Sequence, residues 1–139
     1  MIGAEETEQI TLVVVNYERP RSGEYYDDNW LSCEVKVRAG AFRGKYTANF
    51  LTFELAGLLR DLERLYHELK GSAVFEPLES QLELKFSCDS LGHIQASGTA
   101  MDQVGIGHAL HFSFSFDQTY LAKVLTELRD VVHAFPIRT

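Results

Sequence analysis

Two apolar stripes at helical spacing constrain this chain more than any other feature of its sequence. Leu55, Leu58, Leu59, Leu62, Leu65 and Leu69 recur every three or four positions, with Arg60, Asp61, Glu63 and Arg64 between them. That spacing predicts an amphipathic helix with one face in a core. Leu121, Val124, Leu125, Leu128, Val131 and Val132 repeat the pattern near the end of the chain. Thr52 and Asp117 stand where N-caps belong, Gly71 where the first helix should stop, and Pro77 in the connection beyond.

The segments ahead of each stripe read as strands. Ile10–Asn16 is a β-branched run expected to form a buried strand. Leu31, Cys33, Val35 and Val37 alternate with Ser32, Glu34 and Lys36, and Ala39-Gly40 turns the chain into a second arm carrying Phe42, Tyr46, Ala48 and Phe50. Tyr17 to Asn29, with Pro20, Gly23 and paired aspartates, reads as a long exposed loop. After the first helix, Leu82, Leu84 and Phe86 alternate with charges. A turn at Asp89-Ser90-Leu91-Gly92 leads into His93–Met101, and a last strand spans about Leu110 to Phe116. Strands grouped before each helix predict an α+β fold: an antiparallel sheet of about five to six strands with two helices packed on one face, in the order strands, helix, strands, helix.

The two halves also align at a constant offset of 66 residues. Leu55, Leu59, Leu62 and Leu65 fall on Leu121, Leu125, Leu128 and Val131, and Tyr46, Ala48 and Phe50 fall on Phe112, Phe114 and Phe116. The match admits an internal duplication of a strand, strand, helix unit, although amphipathic segments of one type align easily.

With 139 residues, 45% hydrophobic and 24% charged, the chain is expected to form a single α+β domain over residues 1–139. Its longest aliphatic run, Leu12–Val15, is too short to cross a bilayer, and Met1–Glu6 lacks the basic and apolar pattern of an export signal. A cytoplasmic location without membrane contact is therefore expected. The net charge of −7 disfavours nucleic acid as a partner and favours encounter with a basic protein.

No catalytic, metal or cofactor constellation emerges. Cys33 and Cys88 stand apart as apolar fillers, Gly105-Ile106-Gly107 lacks the continuation of a phosphate loop, and His108 and His111 would face opposite sides of an extended chain. Glu24, Asp27, Asp28 and Asn29 form an oxygen-rich cluster without the spacing of a calcium loop. Arg19, Arg21, Arg38, Arg43 and Lys45, with Tyr25, Tyr26 and Trp30, could belong to a protein-binding surface, or be surface cations around a core tryptophan.

The run Tyr25-Tyr26-Asp27-Asp28-Asn29-Trp30-Leu31 resembles the WapI-type immunity family of bacteria. Thr52-Phe53-Glu54-Leu55 and Phe75-Glu76-Pro77-Leu78-Glu79 extend the likeness, which is firmest over residues 17–79. The second half, with Asp117-Gln118-Thr119-Tyr120-Leu121, looks more like uncharacterised bacterial relatives. The resemblance implies a non-catalytic protein that binds and neutralises a toxin domain delivered by neighbouring cells, and it transfers no residue-level chemistry. Asp28, Asn29 and Trp30 match the motif, where a polar pair can fix a strand entry while Trp fills the core.

The leading expectation is an intracellular protein-binding protein facing a basic partner, with Glu24, Tyr25, Tyr26, Asp27 and Asp28 as candidate contacts. Two alternatives stay open. One is a small enzyme or ligand-binding protein with a site assembled from distant residues, and the other is a structural homo-oligomer subunit.

Overall fold

A computed structural model describes residues 2–5 and 8–139, with side chains from residue 8 onward. Met1 and Glu6, part of the stretch read for an export signal, and Thr7 lie outside the described residues. Strands β1 (Ile2–Glu5) and β2 (Glu8–Tyr17) are followed by the single-turn helix α1 (Tyr25–Asp28), then by β3 (Trp30–Ala39) and β4 (Phe42–Leu51). Helix α2 (Thr52–Glu68) closes the first half. The second half contains β5 (Gly71–Phe75), β6 (Leu82–Cys88), β7 (Ile94–Met101), β8 (Ala109–Phe116) and helix α3 (Gln118–Ala134).

The fold is α+β with antiparallel strands in the expected order, and it holds two four-stranded sheets, β1-β2-β3-β4 and β5-β6-β7-β8. The described strands number eight. β1 and β5 raise the count above the sequence reading, because short runs such as Gly-Ser-Ala-Val-Phe show too little alternation to stand out.

Period two governs both sheets. Leu31, Cys33, Val35 and Val37 of β3 point into the core, while Glu34, Lys36 and Arg38 point out. β2 departs from the fully buried strand expected of its β-branched run. Ile10 is buried but Val15 is 66% exposed, because only one face of β2 meets the core and a register shift between Val14 and Asn16 swings its end outward. Both halves contribute to one continuous apolar cluster, in which Leu55, Leu62 and Leu65 of α2 meet Leu121, Val124 and Leu125 of α3. Fully buried Phe50 and Phe86 each contribute about 1.5–3 kcal/mol relative to exposure.

Glu63 and Arg129, equivalent positions 66 residues apart, form an ion pair at 3.0 Å between α2 and α3. Equivalent positions meet in this way when two like units are related by an approximate two-fold axis. The sheets are joined by side chains at buried Gln81. Its amide donates to the carbonyls of Thr47 (3.2 Å) and Asp102 (3.3 Å), and its own carbonyl accepts from the Tyr46 hydroxyl at 2.6 Å and the Met101 N–H at 3.0 Å. Desolvation pushes the Tyr46 hydroxyl well above its ordinary pKa and keeps it a donor.

Two helix ends differ from the sequence reading. The N-cap of α2 is Leu51, whose N–H donates to Glu54 Oε1 at 2.8 Å, so Thr52 is the first helical residue and its hydroxyl is free for another role. The helix ends on Leu69, held in the left-handed region at φ 53°, and Gly71 instead opens β5. Asp117 caps α3 as expected, accepting from the N–H groups of Thr119 and Tyr120. No helix among the described residues is long and apolar enough to cross a membrane.

Burial pushes the Cys33 thiol up to about 12, so only about one molecule in 10,000 carries the thiolate at pH 8. Iodoacetamide at that pH is expected to leave Cys33 unmodified in the native protein and to label it in urea. Native labelling of Cys33 faster than of half-buried Cys88 would contradict the packing of β3.

Candidate protein-binding site

The connection between β2 and β3 is built around two buried polar residues. Asn29 is 0% exposed. Its amide nitrogen donates to the carbonyls of Tyr25 (2.7 Å) and Arg138 (2.9 Å), and its Oδ1 accepts from the Thr52 hydroxyl (2.6 Å) and the Arg138 N–H (2.8 Å). The Asn29 carbonyl accepts the Thr52 N–H at 2.9 Å. One side chain thus joins α1, the start of α2 and a segment 109 residues away. Asp28, 4% exposed, accepts from Ser22 N–H (2.7 Å), the Ser22 hydroxyl (2.8 Å) and Gly23 N–H (2.9 Å).

Residues 135–139 close over this node. The Tyr17 hydroxyl donates to the Pro136 carbonyl at 2.6 Å, and the Tyr17 ring meets Phe135 edge-on at 5.5 Å. The Arg138 guanidinium lies 3.5 Å from the Tyr17 ring centroid, a cation–π contact, and donates to the Arg19 carbonyl. The Arg21 guanidinium donates to the Thr139 carbonyl.

The residues singled out in the sequence therefore separate. Asp28 and Asn29 are turned inward with their oxygens engaged, which removes the Asp28 carboxylate from the outer surface and leaves no open oxygen-rich cluster there. Trp30 heads β3 half-buried, opposite Leu51. Glu24, Tyr25, Tyr26 and Asp27 face outward, and Asp27 pairs with Arg19 at 3.6 Å. The stretch read as an exposed loop holds a helical turn, because Asn29 and Asp28 satisfy its backbone from within.

Phe53, which sequence reasoning left unremarked as a candidate, completes the outer surface. Its ring stacks on Tyr25 at 5.6 Å and 7°, and Tyr26 meets both rings edge-on at 5.7–5.8 Å. Its position one residue before Glu54, on the turn that Asn29 secures through Thr52, is what brings it there. Phe53, Glu54, Asp61, Glu76 and Pro77 line an adjoining shallow cleft of about 210 Å³. Glu54 also accepts the N–H of exposed Leu78 at 2.6 Å. The result is an aromatic surface with Tyr26 60% exposed, edged by Glu24, Asp27, Asp61 and Glu76.

Elsewhere, an apolar cavity of about 160 Å³ lies among Ile10, Leu62, Phe75, Leu84 and Val131, with Glu127 as its one acidic lining residue. Among the described residues, no three His, Cys, Asp or Glu side chains converge as metal ligands.

The model of the family described as "Immunity protein WapI-like family" matches residues 1–136. No curated protein matches the chain in sequence. Solved structures similar to it include the crystal structures of Trypanosoma bruciei MRP1/MRP2, with a TM-score of 0.48 at 10% identity over 93% of this chain and 86% of that one. A guideRNA-binding protein complex bound to a gRNA gives 0.47 at 10% identity, over 92% of each chain. Nothing about function follows from likeness at that level.

Replacing Asn29 with Ala would leave the Thr52 hydroxyl, the Arg138 N–H and two carbonyls without their buried partners. The expected cost is about 2–4 kcal/mol in urea unfolding. The Asp28 carboxyl is held below its ordinary value of 3.8, first by the Ser22 N–H, with the Ser22 hydroxyl, the Gly23 N–H and the Arg138 charge adding to it against the cost of burial. A depressed folded value means stabilisation that is present above pH 3.8 and lost as the pH falls through the folded value. Wild type should therefore lose more of its urea midpoint between pH 6 and pH 3 than Asp28→Asn does, and equal losses would remove Asp28 from the acid-sensitive contacts.

Proposed function

We propose that this chain, which belongs to the WapI-like immunity protein family, is a non-catalytic cytoplasmic immunity protein that neutralises a basic toxin domain. In this reading residues 1–139 act as one domain, and the toxin's cationic surface is buried against the Tyr25, Tyr26 and Phe53 face. The observation that carries the reading is that stacked aromatic surface, mounted on a buried hydrogen-bond node and edged by carboxylates.

Solvent-facing aromatic clusters are the usual centres of protein interfaces, since rigid rings contribute large contact area at small entropic cost. Here α1 and the first turn of α2 are already fixed by Asn29, so little ordering remains to oppose binding. Glu24 and Glu76, both exposed, suit the rim, where charge sets the encounter rate more than the final affinity. An interface of about 1,200–2,000 Å² would be expected for a stable inhibitory complex.

The test is to co-express the chain with the carboxy-terminal domain of a large exported protein encoded beside it, then follow growth and gel-filtration behaviour at low and moderate salt. A 1:1 complex with rescued growth supports the reading, and the absence of both overturns it. Within such a complex, Tyr26→Ala should raise Kd at least 10-fold, about 1.4 kcal/mol, with no loss of thermal stability. Glu24→Lys and Glu76→Lys should slow association and flatten its salt dependence. Unchanged affinity in Tyr26→Ala would move the contact away from this surface.

A further inference from the structure

The hairpin that positions the aromatic surface carries the opposite charge at its far end. The five cations grouped in the sequence are divided by the fold: Arg19 and Arg21 lie beside α1, whereas Arg38, Arg43 and Lys45 lie on the outer face of β3 and β4 near their turn. There Lys36 pairs in register with Lys45, and Arg38 with Arg43. Like charges directly opposite in a ladder destabilise a sheet. Glu34 offsets the inner pair, reaching Lys36 at 3.6 Å and Lys45 at 3.7 Å.

No such partner serves the outer pair. Neither guanidinium has an ion pair or hydrogen bond among the described residues, and Arg38 Nε is shut off from water without an acceptor. Both line an open cleft of about 350 Å³ with Lys36, Lys45 and Thr11. Phe42, 67% exposed, pairs with Ala39 on the opposite face of the hairpin.

We infer that Arg38 and Arg43 form a docking site for an acidic segment of a partner protein, separate from the aromatic surface and independent of the toxin-binding reading. Arg38 and Arg43 stand directly opposite in the ladder, with Cα atoms about 5 Å apart, so both can reach one carboxylate, and the Lys36 and Lys45 pair lies about 7 Å further along, the spacing of alternate residues in an extended peptide. A nucleic acid strand fits less well. The free cationic stretch spans a single register pair before Glu34, and the net charge of −7 opposes a polyanion. On β3 a free phosphate ion would meet no spare backbone N–H donor, because this interior strand has its N–H groups engaged in the ladders with β2 and β4.

The test uses the full chain, labelled with nitrogen-15 and titrated with an acetylated hexapeptide of alternating Glu and Ala, with inorganic phosphate and with a ten-nucleotide oligothymidylate. The peptide should shift amides of residues 36–45 saturably. Arg38→Gln and Arg43→Gln should each weaken it at least 5-fold, while Arg60→Gln on α2 leaves it unchanged. Arg43→Gln should melt at the same or a higher temperature, since it relieves an uncompensated repulsion. The inference is overturned by absence of a localised shift with the peptide, by tighter binding of phosphate or oligothymidylate to these residues, by indifference to the two substitutions, or by a lower melting temperature in Arg43→Gln.

Discussion

The arrangement of the first half depends on the hydrogen bonds of one buried amide. Asn29 uses both donors of its amide nitrogen and both acceptor directions of its oxygen, and together they reach three separate pieces of chain. An aspartate there would present a carboxylate to the carbonyls of Tyr25 and Arg138, oxygen facing oxygen, and would lack the two donors those groups need. The requirement for a donor pair and an acceptor pair in one planar group explains why the position is Asn. Asp28 has the complementary task of collecting the N–H groups of the Ser22-Gly23 turn, where only acceptors are wanted. The Asp-Asn pair that carries the family likeness is therefore accounted for by backbone satisfaction, and the proposed contact surface lies on its neighbours.

That node also transmits position. Through the Tyr25 carbonyl it holds α1, and through the hydroxyl and N–H of Thr52 it holds the first turn of α2. Tyr25 and Phe53 are the outward-facing residues of those two turns, so their stacked geometry follows from a hydrogen-bond network beneath them. Glu54 extends the same mounting, bonding the Leu51 N–H with one oxygen and the Leu78 N–H with the other. A surface whose shape is set from within loses little conformational entropy on docking.

Much of the fold is legible in the sequence, because hydrophobic periodicity reports which face is buried. The stripes from Leu55 and Leu121 predict α2 and α3, and the alternation from Leu31 to Val37 predicts β3. What periodicity cannot report is direction at positions where polarity and burial disagree. Asp28 and Asn29 look like solvated turn residues and are among the most buried polar groups described, whereas Val15 and Phe42 look like core and are exposed. Leu69 ends α2 in a left-handed conformation that composition would assign to Gly71, with its N–H closing the last turn on the Leu65 carbonyl at 2.9 Å. The grouping of cations along the chain likewise fails in space, because a ten-residue strand carries Arg19 and Arg38 about 30 Å apart.

The near-repetition of the two halves shows where function can be accommodated. The final strand and helix of each half keep the offset of 66, and Glu63 and Arg129 meet as equivalents, so the strand and helix frame is common to both halves. The connections differ. Between β6 and β7 a short turn is held by the Asp89 carboxylate, which accepts from Leu91 and His93 N–H groups. Between β2 and β3 the equivalent place is filled by α1, Asp28, Asn29 and the closing residues 135–139. Both connections use an aspartate to gather backbone donors, but of the two only that between β2 and β3 adds a buried amide, Asn29, and turns two tyrosines outward. The scaffold is repeated and the aromatic surface is not, so the surface proposed for recognition lies in the departure from symmetry.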